Sequence, residues 1–484
     1  MKKTELKRKV INGSFWTVFS NVGMQIVTFA VTVILARLLA PADFGIVAIS
    51  AVFTGIITLF QDLGMGAAII QRQNIDDDYL STSFTVSLLV GFVISLVLIG
   101  LSPLIAVFYN EELLKYILMV SSVGFLLSPM TSIHTSILTK RLDFKKIAII
   151  NFSTQLISGL FSISLALIGY SVWSLILGKI FAQIILIPVV WKIVSWRPRL
   201  VLVKKCFNDL FGYSSNLLGF NFLNYFARNL DNLIIGKYIG AQALGYYSVA
   251  YNLMLKPLQL ISWSVGKVLF PVFSSIQDDP ERTRGIYLKI IRTISLITFP
   301  MMTGLIIVSE EFILTVYGTQ WQPAIFPLQL LCIVGAIQSV NTTGGTILNA
   351  HGRPDITFKL GVASSFMTVT SFFIGIRWGL IGLIAAYIAV TIPIFFMGQY
   401  FVNRLIGLKM SSYLGALVPA SACSVLMVGV LLGFRYVNGS SLHLDIDTSL
   451  FTFIILGIIS YLVFAFMFKI PEVNEALDMV RKKI

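Results

Sequence analysis

Apolar residues fall in long runs along this chain, and polar residues gather in short intervals between them. Runs of about 20 to 27 apolar residues are the length that carries a helix across roughly 30 Å of hydrocarbon. Dividing the chain at its turn residues predicts fourteen spans, near 14–39, 44–70, 80–107, 112–137, 146–168, 171–195, 210–236, 241–266, 286–309, 323–348, 355–376, 379–402, 412–434 and 448–468. The connections are short, some of three or four residues like "GYS" at 169–171, so no soluble domain lies between spans. Lipid cannot satisfy an open backbone, and the expected fold is therefore an all-α polytopic membrane protein of about 14 transmembrane helices. The opening "MKKTELKRKVINGSFWTVFS" has the basic start of a signal peptide. The apolar run behind it reaches about Leu39, too long for a cleaved segment, so it reads as the first span.

Composition agrees: 56% of the residues are hydrophobic and 12% charged, with a mean hydropathy of +0.87. The net charge of +14 raises the question of a nucleic-acid partner, which the placement of the basic residues answers. With the N-terminus inside, inner segments hold 27 of the 36 Lys and Arg, while outer segments hold five: Arg37, Lys115, Lys237, Arg377 and Arg435. This positive-inside asymmetry puts both termini in the cytoplasm and assigns the basic excess to topology and lipid headgroups, not nucleic acid. Cys206, Cys332 and Cys423 stand far apart, as do His134, His351 and His443. Neither set has disulfide or metal-ligand spacing, so no metal or cofactor is expected and a hydrolytic or metal enzyme is disfavoured.

Sliding the chain by 200 residues lays "VILARLLAPADFGIVAIS" (33–50) over "LIIGKYIGAQALGYYSVA" (233–250), with Arg37 on Lys237, Gly45 on Gly245 and Asn21 on Asn221. Identity in this window is no better than chance; the match lies in hydropathy and turn position. A second pairing sets "IGYSVWSL" (168–175) against "IRWGLIGL" (376–383). Together they suggest two pseudo-symmetric six-helix lobes, 1–205 and 206–405, followed by a C-terminal helix pair at 406–484.

Four basic residues remain inside spans: Lys179, Arg228, Lys256 and Arg292. Asn221, Asn224, Arg228 and Asp231 follow one another at three, four and three residues, which is one face of a helix. Arg228 sits about 12 Å in from the outer end near Gly236 at 1.5 Å per residue. An ionised group there costs about 2.5–3.5 kcal/mol unless it faces protein or water. Two readings stand: Arg228 and Asp231 neutralise one another in a packed interface, or the stripe lines a hydrated cavity. Lys256 reaches a similar depth on the next span and precedes Pro257, which leaves a carbonyl without its donor and the helix liable to kink. Asn21 and Gln25, with Thr28 and Thr32, form a matching stripe on the first span, either cavity wall or helix-to-helix contact. Lys179 is a further candidate for substrate binding, and both it and Arg292 could instead snorkel to a polar boundary. Asp62, in "FQDLGMGAA", is either a proton or sodium site or part of a close-packed turn. Cations outnumber acids inside the spans, so a cavity built from them would favour an anionic cargo such as a phosphate or pyrophosphate headgroup.

Three stretches carry a family likeness: "ILARLLAPADFGIVAISAVFTGIITLFQDLGMGAAIIQRQ", "TKRLDFKKIAIINFSTQLISGLFSISLALIGYSVWSLILGKI" and "ARNLDNLIIGKYIGAQALGYYSVAYNLMLKPLQL". They resemble the polysaccharide-flippase family of the multidrug, oligosaccharidyl-lipid and polysaccharide exporter superfamily, in particular its colanic-acid and teichuronic-acid exporter branch. The resemblance is specific over residues 1 to about 275 and looser beyond. It implies a bacterial inner-membrane protein that moves undecaprenyl-pyrophosphate-linked oligosaccharide outward by alternating access, without covalent chemistry. By position, Arg228 and Lys256 would then contact the pyrophosphate, with Asn221, Asn224 and Asp231 as polar wall. Glycosyltransferases or a polymerase of the same pathway are implied neighbours. The chain has no nucleotide-binding loop, so coupling would come from ion gradients or membrane potential. The rival readings are a multidrug antiporter, which would need unpaired buried acids, and a membrane-bound polysaccharide polymerase, which would need a sizeable outer loop.

Overall fold

The computed structural model describes residues 3–61, 65–71, 75–473 and 475, and among them it contains helices and turns but no strand. In chain order the helices are α1 (Lys3–Leu38), α2 (Pro41–Gln61), α3 (Met65–Gln71), α4 (Asp77–Tyr109), α5 (Glu112–Leu127), α6 (Pro129–Lys140), α7 (Phe144–Leu167), α8 (Trp173–Ile193) and α9 (Lys204–Tyr238). They continue with α10 (Ala241–Pro257), α11 (Trp263–Ser275), α12 (Pro280–Ile307), α13 (Ser309–Phe312), α14 (Ile325–Ala350), α15 (Pro354–Gly375), α16 (Gly379–Ile406), α17 (Met410–Val437) and α18 (Ile446–Met467). Every expected span overlaps one or more of these helices. Among the described residues ten helical stretches are long and apolar enough to cross a membrane, or eleven if α5 and α6, bent by 43°, make one span. One of the ten, 354–406, contains both α15 and α16. The chain is thus a multi-pass membrane protein. Its long helices expose apolar side chains such as Leu89, Phe92, Val93, Leu96 and Val97 on α4, a surface that needs lipid rather than water.

Local chemistry explains where the helices begin and end. Asp43 accepts the Ala40 N–H at 3.0 Å and the Ser171 hydroxyl at 2.9 Å, so one carboxylate caps α2 and ties it to the turn before α8. Asp76 caps α4 through the Tyr79 N–H, and Asp279 caps α12 through the Arg282 N–H. Asn110 and Gly407 close α4 and α16 in left-handed conformation.

The chain divides into two compact units, residues 1–245 and 246–484. In the first, α1 packs on α7, α7 on α8, α4 on α5, and α2 lies against both α5 and α9. In the second, α12 packs on α14 and α17, α14 on α16 and α11, and α17 on α18. A buried polar chain runs through this second unit. Tyr287 donates to Gln399 at 3.0 Å, and Gln399 donates to Asn403 at 2.7 Å, in a core that also holds Tyr413.

The first unit contains a reciprocal backbone contact. A Cβ on Gly45 would lie 1.7 Å from the Ala241 carbonyl oxygen, and a Cβ on Gly245 would lie 1.9 Å from that of Pro41. Residues 41 and 241, like 45 and 245, are related by the 200-residue offset, so the pair exchanges roles across the contact. Only glycine allows so close an approach at both places.

Candidate functional site

Polar residues spaced by four converge inside the first unit. On α2, Ser50, Thr54 and Thr58 share a face, and on α8 Lys179 and Gln183 do the same. Because α5 lies between these helices, the two stripes line a cavity of about 290 Å³, with Ser121 and Gly124 of α5 and Ser128 at its wall. Thr54 and Thr58 donate their hydroxyls to the Ser50 and Gly55 carbonyls at 3.0 and 2.6 Å. Their hydroxyls can turn to donate to, or accept from, whatever enters.

Lys179 faces this cavity with its side chain exposed to it, and no acidic side chain is among the lining residues. Of the two readings of Lys179, cavity wall or snorkelling residue, helix packing favours the first by turning it toward the cavity. Gly178 makes this possible, since a Cβ there would lie 1.9 Å from the Ser162 hydroxyl and would hold α8 away from α7.

The same α2 meets the stripe on α9. Tyr225 donates to the Ala51 carbonyl at 3.1 Å, above Gly55, where a Cβ would strike the tyrosine oxygen. Arg228, one turn further along, is exposed and makes no ion pair among the described residues. Asp231 is 4% exposed and accepts the Asn232 N–H at 2.8 Å. The pairing of Arg228 with Asp231, open on spacing alone, is not what the structure shows. At the end of α9, Lys237 donates to the Phe108 carbonyl and lies 4.5 Å from the Phe108 ring centre, the bonding of a helix-end residue.

On α1, Asn21 is exposed and Gln25 is partly buried, with a buried amide oxygen that has no hydrogen-bond donor. Thr28 and Thr32 donate back to the Met24 and Thr28 carbonyls. The side chains of Asn221 and Asn224 lie outside the described residues, as does Asp62 entirely.

In the second unit, Lys256 is half-buried on the last turn of α10 and makes no ion pair among the described residues. Pro257 follows, and the next five residues, Leu258–Ser262, form a π-helical turn before α11 begins. The departure from α geometry falls where the proline donor is missing, directly after the cation. Arg292 does not snorkel freely: it pairs with Glu472 at 2.7 Å, and Lys289 pairs with Glu475 at 2.6 Å.

Lys179 on α8, Arg228 on α9 and Lys256 on α10 thus make no ion pair among the described residues; of the three helices, only α8 is among the stretches long and apolar enough to cross a membrane. The four-residue spacing of Ser50, Thr54 and Thr58, and of Gln183 with Lys179, is readable in the sequence, but only the packing of α2, α5 and α8 brings the two stripes together. No ligand-holding group of three or more His, Cys, Asp or Glu occurs among the described residues.

Comparison with known proteins places these features. Residues 34–326 match the family described as polysaccharide biosynthesis protein. The chain is 26% identical to the teichuronic acid biosynthesis protein TuaB of Bacillus subtilis (strain 168), over 89% of this chain and 91% of that protein. It is 29% identical to the lipopolysaccharide biosynthesis protein WzxC of Escherichia coli (strain K12), over 80% of this chain and 79% of that protein. Among solved structures, the lipid II flippase MurJ in an inward closed conformation superposes with a TM-score of 0.75 at 18% identity, covering 96% of this chain and all of that one. That likeness bears on the fold.

Proposed function

The chain belongs to the polysaccharide biosynthesis protein family, and from that premise we propose that it is a flippase for undecaprenyl-pyrophosphate-linked oligosaccharide repeat units in the bacterial cytoplasmic membrane. The observation that supports this reading is the set of helix-borne cations, Lys179, Arg228 and Lys256, that make no ion pair among the described residues. A lone cation inside a bundle is costly, and the cost is offset when the cargo brings the counter-charge. Arg228 and Lys256 are assigned to the pyrophosphate, with Asp231, Asn221 and Asn224 as the polar wall along α9 and Asn21 and Gln25 along α1. The break after Pro257 lets α10 and α11 bend as the cargo passes, in an alternating-access cycle with both termini cytoplasmic. Membrane potential acts in the useful direction: an anion moving outward from a negative interior gains about 2.3 kcal/mol per charge per 100 mV. Glycosyltransferases supply the cargo and a polymerase consumes it on the far side.

The test is export of surface glycan by Arg228→Ala and, separately, Lys256→Ala. Each is expected to abolish export at unchanged protein level; normal export by both would refute the assignment.

A further inference from the structure

We propose that Tyr225 is a positioning residue for transport: its hydroxyl latches α9 to α2 until a phosphate oxygen held at Arg228 takes the bond over. This rests on the flippase reading above and adds how cargo binding loosens the seam between the two helices. Glycines let α2 and α9 meet along that seam. A Cβ on Gly236 would lie 2.9 Å from the Ile49 side chain, and one on Gly55 would lie 1.9 Å from the Tyr225 oxygen, so the hydroxyl sits in a notch that only glycine leaves. From the notch it donates to the Ala51 carbonyl at 3.1 Å. That carbonyl is a crowded acceptor. It takes the Gly55 N–H in the regular pattern of α2, and the Thr54 hydroxyl stands 3.3 Å away. Three donors face two lone pairs, which leaves Tyr225 weakly held. An anionic phosphate oxygen is the better acceptor, since hydrogen bonds to a charged group are roughly twice as strong as those between neutral ones. Arg228 follows Tyr225 by three residues, a spacing that puts their Cβ atoms about 5–6 Å apart on one side of α9. The arginine is exposed and makes no ion pair among the described residues. A phosphate on its guanidinium therefore lies within the sweep of the tyrosine hydroxyl. When the hydroxyl turns to the phosphate it leaves both Ala51 and the Gly55 notch, and α2 is released from α9.

The experiment is the alkylation rate of a cysteine at position 49 in the full-length protein in detergent, with and without inorganic pyrophosphate at constant ionic strength. Ile49 is 0% exposed in the seam. Ile49→Cys therefore reacts with N-ethylmaleimide only when α2 and α9 part, and its rate scales with the parted population. In that background Tyr225→Phe should raise the rate about 2- to 12-fold without pyrophosphate, the loss of one neutral hydrogen bond. Gly55→Ala, whose methyl fills the notch, should do the same. Pyrophosphate should raise the rate when Tyr225 is present and add little in Tyr225→Phe. The native Cys332, 0% exposed, is followed in the same samples by mass spectrometry and should not change, which separates release of the seam from general loosening. The inference is overturned if Tyr225→Phe leaves the rate unchanged, if Cys332 speeds up equally, if pyrophosphate has no effect with Tyr225 present, or if Tyr225→Phe keeps the full response to it. Failure of the flippase reading shows separately, as normal export by both Arg228→Ala and Lys256→Ala, and leaves the Tyr225→Phe rate as measured.

Discussion

Replacing Gly45 by alanine should drive the first unit out of the conformation described here. Its Cβ would lie 1.7 Å from the Ala241 carbonyl oxygen, where side-chain carbons essentially never come within 3.0 Å, so α2 and the start of α10 must part by at least 1.3 Å. The oxygen belongs to backbone and cannot swing aside. Overpacking of this kind costs about 1–3 kcal/mol, which shifts a two-state population by about 5- to 150-fold. Gly245→Ala makes the mirror-image demand, at least 1.1 Å against Pro41. One separation relieves both clashes, so the double variant should cost clearly less than the sum of the singles. Leu38 and Tyr238, just before the two contacts, are 42% and 64% exposed, and the native Cys206, Cys332 and Cys423 are buried. Spin labels on cysteines at 38 and 238 therefore report the separation with little background. A longer-distance population should dominate in each alanine variant. An unchanged distance distribution in both, or full additivity in the double variant, would refute the reciprocal-contact reasoning.

Other consequences concern stability and the hinge. Glu472→Ala strands Arg292, whose side chain is 36% exposed against 7% for Glu472, and should destabilise by about 1–3 kcal/mol, less than for a fully buried pair, read as a lower midpoint of thermal unfolding. Tyr287→Phe removes the donor to Gln399 and should cost about 1–2 kcal/mol in the same assay. Pro257→Ala restores the backbone donor that α10 lacks and is expected to shorten or remove the π-helical turn at 258–262; export should slow while protein level holds, and unchanged export would mean the break is not used.

Helices and their order were legible in the sequence because lipid imposes one length and one hydrogen-bonding solution on every span. The break after Pro257 was legible for the same reason, since a missing donor acts locally. What was hidden depends on which helices lie side by side. Lys179 reads in the sequence as either cavity wall or snorkelling residue, and only the cavity between α2 and α8 separates the two. Arg292 looked unpaired because Glu472 is far away in the chain. Arg228 and Asp231 share a helix face at a spacing that permits pairing, yet no ion pair joins them in the structure. The 200-residue offset was visible as hydropathy alone, and its physical content, glycine against carbonyl at both positions, appears only where the two turns meet.

The most direct measurement is transbilayer movement of an undecaprenyl-pyrophosphate-linked oligosaccharide in vesicles holding the purified protein. Wild-type vesicles should move the lipid from one leaflet to the other, and vesicles with Arg228→Ala or Lys256→Ala should not, although the variants insert equally well. Movement by the variants at the wild-type rate, or none by the wild type, would contradict the account.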